Sequence, residues 1–135
     1  MSISIETYFW LIDRLKIEDD SRNKVNMTKN QVTLSKPFLK KCENGLYLGQ
    51  LLTEIYATHS KRVNKQFTIP QSVTEITLET PAFSQPVWKH IFEGLAMYGC
   101  KIEPSKQDQI LKMAKTDQVI ELFDCLFEID SSPNG

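Results

Sequence analysis

Residues 87–95, Val87-Trp88-Lys89-His90-Ile91-Phe92-Glu93-Gly94-Leu95, decide the fold of this chain. Trp88, Ile91, Phe92 and Leu95 fall at i, i+3, i+4 and i+7, the spacing that lines one side of a helix with apolar side chains. The pattern predicts a helix starting near Ser84, with Pro86 in its first turn, and stopping at Gly99. Ile102 is then placed to fold back on the last helical turn. A short helix follows Pro104-Ser105, where Ser105 and Asp108 form a weak capping-box variant. A closing helix carries Val119, Ile120, Phe123 and Phe127, with Thr116 as its expected cap and Asp117 in its first turn. Three helices that each bear one apolar stripe must pack on something.

Upstream, Leu48, Leu51, Leu52 and Ile55 repeat the same spacing and predict a helix from Leu46 to Thr58. Gly49 inside it costs about 1 kcal/mol against alanine, so either a second helix crosses closely there or the glycine is a tolerated surface residue. A shorter helix is capped by Ser35, admits Pro37 in its first turn, turns Phe38 and Leu39 inward and ends near Asn44-Gly45. The first helix is expected over Ile3 to Ile17, with Ser2 or Ser4 as cap and Ile5, Phe9, Ile12 and Leu15 on one face beside Tyr8. Trp10 lies off that stripe and reads as a seal at the core's edge. Glu18 to Asn30 is polar and reads as a loop or linker, leaving Val32 and Leu34 as isolated apolar residues. Lys61 to Phe83 is rich in β-branched residues and proline. It reads as a long loop with one helical turn around Gln71 to Ile76, against a competing short strand at Val73–Leu78. The fold class expected is therefore all-α, a compact bundle of about five or six helices with Trp88 at its centre.

At 135 residues and 41% hydrophobic content the chain suffices for one domain, taken as residues 1–130 with a polar tail at 131–135. No apolar run approaches the ~18 residues of a membrane span. Met1–Leu11 lacks the basic start of a secretory signal and carries Glu6, so a cytoplasmic location is expected. The formal net charge of −1 argues against binding nucleic acid through bulk positive charge. The charge is nevertheless segregated. Ser21 to Lys65 holds nine Lys/Arg against Glu43 and Glu54, whereas Thr116 to Asp130 holds five acids and no base.

The sequence offers no parts of an enzyme. It has no glycine-rich phosphate loop and no Gly-x-Ser-x-Gly elbow. Cys42, Cys100 and Cys125 are far apart, and His59 and His90 are isolated, so neither a zinc site nor a placed thiol–imidazole pair is indicated. Three unframed cysteines fit a reducing compartment, with Cys100 and Cys125 as small core residues. Asp117, Glu121, Asp124, Glu128 and Asp130 read as a solvated acidic face and lack the dense oxygen spacing of a calcium loop. No catalytic residue, metal or cofactor is expected.

The candidate site is instead a basic face. Lys36, Lys40 and Lys41 sit on or beside one short helix, and Lys61, Arg62 and Lys65 follow the next. If the two elements are neighbours, six cations share a face suited to an acidic polymer such as tubulin or actin, or to a phosphoinositide headgroup. Ordinary solubilising lysines are the alternative reading.

Asn44-Gly45-Leu46-Tyr47-Leu48-Gly49-Gln50-Leu51-Leu52 resembles the Asp/Asn-Gly-hydrophobic-x-Leu-x-x-Leu-Leu helix of calponin-homology domains. Val87 to Leu95 is similar to their central Asn-Trp helix, followed here by Gly99-Cys100-Lys101-Ile102 and a final helix over Val119 to Phe127. Val87 replaces the family's asparagine, and the stretches before Val32 and before Trp88 are longer than usual. With one copy only, the likeness is to the divergent single domains of sperm-flagellar and ciliary proteins. The resemblance implies a non-catalytic, cytoskeleton-associated interaction domain. It would bind microtubules or an axonemal or centriolar protein, in the cytoplasmic cytoskeleton, a cilium or flagellum, or a centriole. Actin is a less favoured partner, and a death-fold-like or other helical adaptor is the alternative.

Overall fold

A computed structural model describes residues 1–58 and 69–131. The element order is β1 (Ser2–Ser4), α1 (Ile5–Leu15), β2 (Lys24–Asn26), β3 (Gln31–Thr33), α2 (Lys36–Glu43), α3 (Leu46–Thr58), α4 (Gln71–Thr74), α5 (Gln85–Tyr98), α6 (Pro104–Met113) and α7 (Thr116–Asp130). The fold is mostly helical but not all-α. Among the described residues there are seven helices, more than the five or six expected, and a three-stranded antiparallel sheet of order β1-β3-β2.

The sheet corrects two expectations at once. Residues 2–4 extend as a strand before the first helix, and Ser4, at the junction, caps α1 by accepting from the Thr7 amide at 3.2 Å. The presumed linker supplies β2, so Val32 is not an isolated apolar residue. It pairs with Ile3 on one side and Val25 on the other, and it is fully buried. Strands of three residues carry too little periodicity to be read from sequence. Asn23 anchors the turn into β2, donating to the Tyr8 hydroxyl at 3.1 Å and accepting from the Ser35 amide at 2.7 Å.

In α1 the buried residues are Thr7, Tyr8 and Leu11, whereas Phe9 is exposed. The stripe is therefore rotated from the one expected. Phe9 was placed on it by spacing from Ile5 and Ile12, both only partly buried. Tyr8 wins the inner position because its phenol has a polar outlet, donating to Asp19 at 2.5 Å. Trp10 does sit at the core's edge, its indole donating to Asp130 at 2.7 Å and its ring 5.4 Å from Phe127.

The central helices follow their sequence signals closely. Ser35 accepts from the Phe38 amide at 3.4 Å with Pro in the first turn of α2, and Phe38 is buried. Gly45 carries a φ of +85° between α2 and α3, a left-handed bend that glycine adopts without strain. A Cβ at Gly49 would stand 3.1 Å from Val73, so α4 crosses α3 at that glycine, the close approach expected of one of its two readings. The described part of the 61–83 stretch contains the single helical turn, α4, and no strand. Gly99 ends α5 at a φ of +114°. Two capping expectations do not hold: α6 is preceded by Glu103 rather than opened by Ser105, and α7 by Lys115 with Thr116 already inside it. The Thr116 hydroxyl donates instead to the Glu43 carboxylate at 2.6 Å.

Trp88 is fully buried and packs between Phe83 and Phe92, with ring centroids 5.9 and 5.5 Å away. Its indole N–H donates to the Glu43 carbonyl at 3.0 Å, which also accepts from the Phe83 amide at 3.0 Å. One of the unspent carbonyls at the end of α2 thus fixes the hub. Truncating a side chain so enclosed costs about 3–5 kcal/mol, which makes this the centre of the fold.

Candidate interaction surface

The basic face begins on α2. Lys36 and Lys40 are exposed and one turn apart, so their side chains leave the same side of the helix. Among the described residues neither forms an ion pair. Lys41 is different. It is half-buried, with its ammonium 5.8 Å from the centre of the Tyr47 ring, a cation–π contact. It also adds to the field around Asp20, whose carboxyl is held at about 2 chiefly by hydrogen bonds from the Arg22 side chain and amide. Lys41 is thus partly committed within the fold, unlike Lys36 and Lys40, which show no ion pair among the described residues. Lys61, Arg62 and Lys65 lie outside the described residues.

The β2–β3 hairpin carries two further exposed cations that the sequence reading did not single out. Lys24 and Lys29 are exposed and, among the described residues, make no ion pair. Lys24 is paired with Thr33, which leads directly into α2. A signal for them existed: residues 21–42 contain six Lys/Arg and not one Asp or Glu. Without the strand pairing, nothing placed Lys24 beside Thr33 at the approach to α2.

On α7, Asp117, Glu121, Asp124 and Glu128 are exposed, as expected of a solvated face. Asp130 departs from it. Its side chain is 9% exposed and is clamped by Arg14. Asp124 accepts from the Thr7 hydroxyl at 2.6 Å, and Glu121 lies 3.5 Å from Lys106.

The remaining chemistry is sparse. Cys42 is fully buried, and burial pushes its thiol well above its usual value, which disfavours the reactive thiolate. His90 faces Glu93 at 3.3 Å on the surface, and His59 lies outside the described residues. Cys100 and Cys125 are joined in a disulfide, so they are not two separate core thiols as the sequence suggested. A sequence separation of 25 with no motif gave no hint of the pairing. Among the described residues no cluster of three or more His, Cys, Asp or Glu could hold a metal, and no helix is long and apolar enough to cross a membrane. A cleft of about 390 Å³ opens between the end of α1, α3 and α4, lined by Leu15, Ile17, Leu46, Val73 and Ile76 and by the polar Gln50, Thr53 and Thr74, with Glu54 its only charged wall residue among the described residues. Compared with known proteins, the chain matches no family model, no curated protein and no solved structure.

Proposed function

We propose that this chain is a non-catalytic, cytoskeleton-associated interaction domain that docks an acidic protein surface on the basic side of α2. A microtubule or an axonemal or centriolar protein is the favoured partner. The observation that carries the reading is the pair Lys36 and Lys40, exposed, one turn apart and without an ion pair among the described residues. Unpaired cations on a rigid helix attract an acidic surface without first breaking an internal contact. The resemblance to calponin-homology domains supports the cytoskeletal assignment. Its two motif-bearing segments lie on α3 and α5, which pack on each other beside the Trp88 hub.

The test is co-sedimentation with tubulin and actin polymers across a salt series. Binding to microtubules should weaken steeply with salt, because exposed charges are screened over ~10 Å at 0.1 M. Lys36→Glu with Lys40→Glu should abolish pelleting, and adding Lys41→Glu should change little further, since Lys41 leans on Tyr47. Undiminished binding by the triple variant would remove the basic-face reading, and pelleting with actin alone would reassign the polymer.

A further inference from the structure

Among the described residues, the sheet has an edge whose hydrogen-bonding groups are unspent. The Leu34 amide donates to the Met1 carbonyl at 2.8 Å, and the Ile5 amide to the Asn30 carbonyl at 3.2 Å. Residues 30 and 34 therefore aim their backbone groups at β1, and by the alternation of an antiparallel ladder so does Val32. Gln31 and Thr33 aim theirs at β2, where they pair with Asn26 and Lys24. Val25, opposite Val32, is then the residue of β2 whose N–H and C=O point away from the sheet. Among the described residues neither group makes a hydrogen bond.

Three further features mark this edge. Val25 shares a face with the buried Val32 yet is 42% exposed, so apolar surface is uncovered beside the free backbone. Met27, two residues on, is 78% exposed. Lys24 and Lys29 bracket the pair, within the run of residues 21–42 that contains no acid. Short strands and lysines commonly guard a sheet edge against pairing. A purely guarded edge has no use for two exposed apolar side chains next to its open N–H and C=O.

The geometry points to β2 as a docking edge for an extended acidic segment of a partner protein, added to the sheet as a fourth strand. The segment would exchange hydrogen bonds with the Val25 N–H and C=O. Its alternate apolar side chains would cover Val25 and Met27, and its carboxylates would meet Lys24 and Lys29. Charge chooses the occupant: an acid-free run of basic chain selects an acidic strand and disfavours a basic one. The edge involves none of Lys36, Lys40 or Lys41, so its test stands or falls separately from the polymer-binding reading.

The test uses the full chain, a short synthetic peptide of alternating glutamate and valine, and a lysine–valine peptide as control. Titration should shift the Val25 amide resonance and slow its hydrogen exchange in the wild-type chain. Val25→Pro removes the outward N–H at a position where an edge strand tolerates proline. It keeps every lysine and should weaken binding about tenfold, a loss of the order expected for one net backbone hydrogen bond. Val25→Thr keeps the N–H and should bind nearly as well as wild type. Circular dichroism confirms that the variants stay helical, and the wild-type amide titration decides the matter if Val25→Pro does not fold. Equal binding by Val25→Pro, an unmoved Val25 amide, or equal binding of the lysine peptide would each overturn the proposal. So would a dimer in which the Val25 amide is already protected, since a second copy would then occupy the edge.

Discussion

Arg14 and Asp130 hold the two ends of the fold together with a two-pronged ion pair. Arg14 Nη2 lies 2.6 Å from Oδ1 of Asp130, and Nε lies 2.9 Å from Oδ2, which also accepts from the Trp10 indole at 2.7 Å. The two side chains are 19% and 9% exposed, so water screens the pair only in part. A surface pair contributes about 0–1 kcal/mol, and breaking a fully buried one costs about 3–5 kcal/mol. Arg14→Ala and Asp130→Ala should each cost about 2 kcal/mol in urea unfolding, and the double variant should cost clearly less than the sum. Additive losses would mean that the pair is not coupled.

Gly45 and Gly49 sit one turn apart and should respond differently to alanine. At Gly45 the φ of +85° strains any L side chain, and a Cβ would lie 2.5 Å from Ile91 Cδ1. At Gly49 the backbone is helical, and the nearest atoms, from Val73 and Ile76, are 3.1–3.2 Å away. There the gain in helix propensity, about 1 kcal/mol, offsets part of the cost of displacing α4. Gly45→Ala should therefore lose about 2 kcal/mol more than Gly49→Ala. Equal thermal shifts for the two would show that α4 is held as tightly as the Gly45 bend.

The helices were legible wherever the sequence carried a full turn of apolar spacing or a stop residue. The Trp88 helix, the Leu46–Thr58 helix, the Ser35 cap and the Gly45 and Gly99 stops all follow from local chemistry. What was illegible depended on long-range pairing. The sheet joins Ile3 to Val32 across a helix, and the disulfide joins Cys100 to Cys125 across another, with no local pattern announcing either. The Phe9–Tyr8 exchange shows the same limit within α1, since periodicity locates a stripe but not which neighbour finds a polar outlet at Asp19 and Asn23. On the candidate surface, charge counting pointed to Lys36, Lys40 and Lys41 alike. It could not tell that Lys41 is drawn onto Tyr47, or that β2 sets Lys24 beside the approach to α2.

The Cys100–Cys125 bond encloses α6, of which only Ile110 is buried. For a loop of 25 residues the closure entropy removed from the unfolded chain corresponds to about 3.5 kcal/mol. Cys100→Ser should lower thermal stability accordingly, and excess dithiothreitol should reproduce the loss in the wild type without adding to it in the variant. Hydrogen exchange should quicken first across Pro104–Met113, the helix released from the closed loop. An intact mass that shows three free thiols in protein purified under oxidising conditions would refute the bond.

Tyr47 should set part of the alkaline limit of stability. Its ring is 5% exposed and lies 4.9 Å from that of Phe38. Burial pushes its phenol up to about 12, with smaller contributions from the charges of Cys42, Asp20 and Tyr8. The folded chain therefore holds a proton that the unfolded chain releases near pH ~10. The stabilisation is fully present below that pH and is lost as pH rises through about 12. Tyr8 and Tyr56, also raised mainly by burial, act in the same sense. Tyr47→Phe keeps the ring packing and removes the ionisable group, so its alkaline unfolding midpoint should move to higher pH while stability at neutral pH changes little. Tyrosinate absorbance and far-ultraviolet circular dichroism should rise and fall together in the wild type, because the buried phenol ionises only as the core opens. An unchanged midpoint in Tyr47→Phe, or tyrosinate formation well before the loss of helix, would place the alkaline trigger elsewhere.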